Sequence, residues 1–181
     1  MAFRSSLAEP FGEAFLRCAL HCLLTGDIPG VRQAYLDIVF ALRRRTMSTY
    51  EVSSRVRLTK TPDEYEAIRT TRRELSYEAV LASGRSTWRV GERIRVYRTS
   101  RGTGAVVPER DDETYATAAW TDTHDYDVAH YVRVLTDIFA SRLERAFAPA
   151  DHAVVFSDPE QPSLFERDVT TIRAILQTRA H

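Results

Sequence analysis

Glu51 to Leu75 reads EVSSRVRLTKTPDEYEAIRTTRREL, and it switches from a strand pattern to a helix pattern at one proline. Tyr50, Val52, Val56 and Leu58 alternate with Glu51, Ser53, Arg55 and Arg57, the two-residue period of a half-buried strand. Thr61-Pro62 turns the chain. Beyond it the acids Asp63, Glu64 and Glu66 precede Arg69, Arg72 and Arg73, the order that complements a helix dipole. A basic strand and a basic helix are therefore expected, joined by a loop that carries Lys60. Such a run is either a solvated charged surface or a grip for a polyanion.

On the N-terminal side, Phe11, Phe15, Cys18, Ala19 and Cys22 fall at helical spacing up to Leu24, with Gly26 as the stop. Asp27 is the expected N-cap of a second helix, with Pro29 in its first turn and Val31, Tyr35, Ile38, Val39 and Leu42 as its buried stripe. Arg43, Arg44 and Arg45 close that helix, either complementing its dipole or opening a phosphate-binding surface. On the C-terminal side a third helix is expected over Arg72 to Ala82, with Leu75, Ala79 and Val80 inward and Gly84 at its end. A β stretch follows from Trp88 to Val96, turned at Gly91, in which Ile94 and Val96 alternate with Arg93, Arg95 and Arg98. Ser100 to Asp125 is turn-rich, with one short strand expected around Ala118 to Trp120. Asp125 then caps a long amphipathic helix with Val128, Tyr131, Val132, Leu135, Ile138, Phe139 and Phe147 on its apolar face, ended by Pro149. An extended section, Val154 to Phe165, leads to a short helix near Val169 to Gln177. Together these pieces predict an α+β fold, mainly helical with a small antiparallel sheet.

At 181 residues and 44% hydrophobic content, the chain has enough apolar matter for a real core. No apolar run reaches the length of a membrane span, and Glu9 and Glu13 interrupt the start before any signal-type core forms, so a cytoplasmic protein with no membrane partner is expected. Cys18 and Cys22 have no second pair to complete a zinc site and are expected as buried thiols in a reducing compartment. The zero net charge hides an asymmetry: residues 1–101 hold 18 Lys or Arg against 11 Asp or Glu, while residues 102–181 hold 7 against 14. Only the first part can attract phosphates.

Four motifs in order resemble the thumb and C-terminal region of family B DNA polymerases, most closely the bacterial DNA polymerase II group. Pro10-Phe11-Gly12-Glu13 with its two helices looks like the passage from palm to thumb. The stretch Glu51 to Tyr65, with Arg-Leu-Thr-Lys and Pro-Asp-Glu-Tyr, is similar to the family's strand and short basic loop. Gly91-Glu92-Arg93-Ile94-Arg95-Val96-Tyr97 looks like its glycine turn and strand, and Asp125-Tyr126-Asp127-Val128-Ala129-His130-Tyr131 like the start of its long final helix. The resemblance covers about residues 4 to 165; it departs at Thr71-Arg72-Arg73-Glu74, where the family often carries a Pro-His-Val type sequence. It implies a thumb-like domain over 1–149, with a small β insertion at about 86–122, and a tail over 150–181.

By that resemblance the chain is the non-catalytic thumb portion of a DNA-directed DNA polymerase, a nucleotidyltransferase, as a split subunit or a fragment. Neither paired palm carboxylates nor an exonuclease cluster is found, so no cofactor is expected on this chain and Mg²⁺ is expected on the absent palm. Arg55, Arg57, Lys60, Arg69, Arg72 and Arg73 would contact the backbone phosphates of primer–template duplex, which fix position without reading bases. Gln161-Pro162-Ser163-Leu164-Phe165 resembles the bacterial sliding-clamp binding pentapeptide, with Gln161, Ser163, Leu164 and Phe165 as the contact residues. The partners implied are duplex DNA, a palm-containing chain and the sliding clamp, in a nucleoid-associated cytoplasmic setting. A free-standing interaction module using only the tail is the alternative. His124, Asp125, Asp127 and His130 are poorly spaced for a metal, and a hydrolase built on them is the least favoured class.

Overall fold

A computed structural model describes residues 9–108, 121–160 and 168–175. Its elements, in order, are α1 (Pro10–Leu24), α2 (Ile28–Arg43), α3 (Thr49–Val52), β1 (Ser54–Arg57), α4 (Pro62–Arg69), α5 (Leu75–Ala82), β2 (Arg93–Arg98), β3 (Gly104–Val107), α6 (Val128–Val134) and α7 (Pro149–Val155). A π turn, Leu135–Phe139, and a 3₁₀ stretch, Ala140–Ala146, continue from α6, and one 3₁₀ turn covers Val169–Thr171. The fold is α+β, helical with, among the described residues, a three-stranded antiparallel sheet in the order β1-β2-β3. No helix among the described residues is long and apolar enough to cross a membrane.

The chain forms two compact units. Among the described residues, one takes 9–10, 45–108 and 121–130; the other joins 11–44 to 131–160 and 168–175. The second therefore groups α7 and residues 168–175 with α1 and α2.

In the second unit α2 starts as its residues dictate: the Asp27 carboxylate accepts from the Gly30 amide at 2.9 Å, and Pro29 sits in the first turn. Phe15, Tyr35 and Phe156 meet edge-on with centroids 5.5 to 6.3 Å apart, and Phe147 closes on Phe156 at 6.0 Å. The Phe139 ring fills the space that a side chain at Gly12 would need. Cys18 is exposed and Cys22 half-buried, against the expectation of core thiols: the α1 face buried in this unit carries Phe11, Phe15, Ala19 and Leu23. The long final helix departs from its 3.6-residue pattern at the π turn. The wider turn shifts the phase, so Ile138 comes out 47% exposed while Val134, Leu143 and Phe147 are buried. Pro149 also opens α7, whose last two residues, Val154 and Val155, overlap the section expected to be extended, and the helix expected at 169–177 is a single 3₁₀ turn followed by a non-helical 172–175, with Ile172 buried.

In the first unit, the strand expected from Tyr50 begins only at Ser54. Ser48 and Glu51 form a capping box that winds Thr49–Val52 into one helical turn. The box outweighs the alternation. Thr61 and Glu64 form a second box at the head of α4, with Pro62 at its first position. The next helix starts at Leu75, not Arg72, and Leu75 is 38% exposed. Trp88 and Val90 precede β2 rather than belong to it, and β3 falls within a segment expected to be loop. The sheet thus gathers β1 from outside the expected 86–122 insertion.

One sheet face packs on Leu58, Tyr65, Tyr77, Ala79, Val80 and Trp88 through Ile94, Val96 and the partly buried Val56 and Val106. Tyr65 and Tyr77 stack at 4.5 Å, and Trp88 donates its indole N–H to the Lys60 carbonyl at 2.8 Å. The Tyr77 hydroxyl accepts the amides of Thr59 and Lys60 at 2.9 and 3.0 Å, which fixes the loop after β1. α5 lies so close on β3 that a Cβ at Gly104 would stand 2.5 Å from the Leu75 carbonyl oxygen and 3.0 Å from the Ala79 methyl. Only glycine fits there.

Candidate nucleic-acid interface

Because side chains alternate across a sheet, turning Val56 and Ile94 to the core turns Arg55, Arg57, Arg93 and Arg95 to the other face. The register then sets Arg55 opposite Arg95 and Arg57 opposite Arg93. Neighbouring strands lie about 4.8 Å apart and residues i and i+2 about 6.8 Å, so four arginines stand at the corners of a small rectangle. Arg57 and Arg93 are exposed; Arg55 and Arg95 are half-buried. Like charges directly opposite on a sheet repel, and a bound polyanion is one way to relieve that.

Of the inner pair, Arg95 is held in place. The Arg95 guanidinium lies 4.3 Å from the Tyr50 ring centroid, and its Nη1 is 3.5 Å from the Ser53 hydroxyl. Arg57 folds back against the Gly91 turn, where φ is +92° and a Cβ would come 3.3 Å from its Nη2.

The acids near the far end of the sheet are already engaged. The Tyr97 hydroxyl donates to Asp125 at 2.7 Å, and Thr123 also bonds that carboxylate. Burial raises the Tyr97 phenol to about 12, with the Asp125 contact adding to the shift. Asp125 itself is lowered, because these hydroxyl bonds favour its charged form over the opposing effect of burial. It is thus not the helix cap expected. That role falls to Asp127, which accepts the His130 amide at 3.0 Å and pairs with Arg98 at 3.1 Å. Asp122 accepts the amides of Thr49 and His124 at 2.9 and 3.0 Å. Arg45, with φ of 55°, donates to the carbonyls of His124 and Tyr126 at 2.7 and 2.8 Å.

The six basic residues expected to act together are not brought together. Arg55 and Arg57 are on the arginine face. Lys60, Arg69, Arg72 and Arg73 belong to the helical layer that covers the other side. There Lys60 bonds both Glu74 oxygens at 3.0 and 3.1 Å, and Arg72 reaches Glu74 at 3.6 Å. Arg69 clasps Glu78 with bonds of 2.8 and 3.1 Å, and the Tyr65 hydroxyl donates to the same carboxylate at 2.8 Å. The Arg69 contact holds Glu78 below the usual carboxylate range. Arg73 is exposed. Arg93 and Arg95 were absent from the expected set, although the repeated Arg-x-Arg of 55–57 and 93–95 is the signal that finds them once two strands pair.

Gln161, Ser163, Leu164 and Phe165 lie outside the described residues. The segment leading to them is tied to α2: the Arg43 guanidinium bonds both Asp158 oxygens at 2.7 and 2.8 Å and reaches Glu160 at 3.2 Å. Among the described residues no three His, Cys, Asp or Glu side chains converge as metal ligands. No family model matches this chain, nor does any curated protein or solved structure.

Proposed function

We propose that this chain holds nucleic acid without catalysing a reaction, as the thumb portion of a family B DNA polymerase whose palm is supplied by another chain or another part of the gene. The observation that carries the reading is the register that gathers Arg55, Arg57, Arg93 and Arg95 on one sheet face, a concentration of positive charge suited to a phosphate backbone. Contacts of that kind suit a protein that slides over any sequence. Residues 161–165 would tether the assembly to the sliding clamp during replication or repair. The test is fluorescence anisotropy with two unrelated duplexes. Affinities within about threefold of each other are expected, because phosphate contacts ignore sequence. Loss of binding in the Arg55→Ala/Arg57→Ala/Arg93→Ala/Arg95→Ala variant supports the proposal, and retained binding in that variant rejects it.

The pairing of Lys60 and Arg69 with Glu74 and Glu78 favours a second reading, a protein-interaction module whose helical layer is only solubilised by its charges. Co-purification with a palm-containing polymerase chain separates the two.

A further inference from the structure

Two thiols on α1 are left unused by nucleic-acid binding. Cys18 and Cys22 stand four residues apart on one helix, hence one turn apart on the same face. Cys18 is exposed and Cys22 half-buried. Burial raises the Cys22 thiol, with smaller upward contributions from the neighbouring Cys18 and then the Asp27 carboxylate. Gly30 makes room for them: a Cβ there would collide with the Asp27 carboxylate and come 2.9 Å from the Cys22 Sγ.

Geometry selects what such a pair can hold. Helical spacing keeps the two Cβ atoms about 5–6 Å apart, whereas a disulfide draws them to about 3.5–4.5 Å. Closing a disulfide would therefore distort the last turns of α1. A linear bridge with two metal–sulfur bonds of about 2.3 Å each sets the sulfurs about 4.6 Å apart, a separation the undistorted helix can offer. Zinc needs four ligands, and no third donor converges here among the described residues. Thiolate pairs select soft cations.

We propose that Cys18 and Cys22 form a two-coordinate site for a soft monovalent cation of the Cu(I) class. Binding forms two metal–sulfur bonds, breaks two S–H bonds and releases two protons, with no change in oxidation state. Affinity below the thiol pKa therefore rises about 100-fold per pH unit.

The test titrates the reduced full chain with Ag⁺, the redox-inert member of the class, against a chromophoric competitor, and counts ions by native mass spectrometry. One ion per chain is expected, with affinity falling at least about 100-fold in Cys18→Ser and in Cys22→Ser as one of the two ligands is lost. His21→Ala should bind as the parent does. Circular dichroism of each variant, and a Cys18→Ala replacement, separate loss of ligand from loss of fold. Parental affinity in either serine variant overturns the proposal, as does uptake of two ions by two independent thiols. So does formation of a Cys18–Cys22 disulfide by oxidised glutathione with α1 helicity intact.

Discussion

Removing the outer arginine pair, Arg57→Ala with Arg93→Ala, tests the interface through two readouts that should separate. Four neutralised phosphates give a log-affinity against log-salt slope of roughly −3.6, so raising salt from about 50 to 200 mM weakens duplex binding about 150-fold. With two arginines left the slope falls to about −1.8, and the same rise in salt weakens binding only about 12-fold. Both side chains are exposed and face each other across β1 and β2. Their repulsion opposes folding, so the doubly substituted chain should melt at an unchanged or higher temperature. Anisotropy of a labelled duplex across a salt series gives the slope, and circular dichroism melting gives the midpoint. An unchanged slope together with a lowered midpoint would refute the reasoning, because the pair would then be holding the sheet rather than a ligand.

Other outcomes follow from the same contacts. Gly104→Ala should destabilise the sheet unit by about 1–3 kcal/mol, the usual range for overpacking, since the obstructing atom is a backbone oxygen of α5; scanning calorimetry reads this directly. Tyr97 has its ordinary pKa near 10 when unfolded and about 12 when folded, so its contribution is complete below pH 10 and is lost as pH rises towards 12. In Tyr97→Phe, denaturant melts across that window should show a flatter alkaline decline, and an unchanged decline would place its origin elsewhere. Glu78 is held below its ordinary range, so its contribution is present above that range and is lost as pH falls through the depressed value. Acid titration of Glu78→Gln should accordingly show a shallower loss than the parent chain.

Much of the fold was legible because local signals agreed with the final packing. Asp27 with Pro29, and Thr61 with Pro62, announced the heads of α2 and α4, and glycines at 26 and 84 marked helix ends with positive φ. The misreadings occur where two local signals compete. Around Tyr50 the strand alternation and the Ser48–Glu51 capping box overlap, and the box prevails because it satisfies orphan amides at once. Along the last long helix the period holds until a π turn that no residue type specifies. β3, Gly104–Val107, is too short to show a period, and its pairing to β2 is a long-range choice.

The candidate site was half legible for a related reason. Arg55 and Arg57 could be seen as a pair, but their partners Arg93 and Arg95 arrive only through register, which depends on distant packing. Conversely, Lys60 and Arg69 looked available until α5 brought Glu74 and Glu78 to them. Charges on neighbouring elements neutralise one another in ways that counting cannot foresee.

Among the described residues β1 is also an outer strand, four residues long, on a sheet ordered β1-β2-β3. An outer edge can accept a strand from another molecule, and a short length with two arginines is how such edges are kept from doing so. The side chains that would attract phosphate therefore also keep copies of the chain apart. Alanine variants of Arg55 and Arg57 should be checked by light scattering before their binding is interpreted, because an uncharged β1 favours self-association at high concentration.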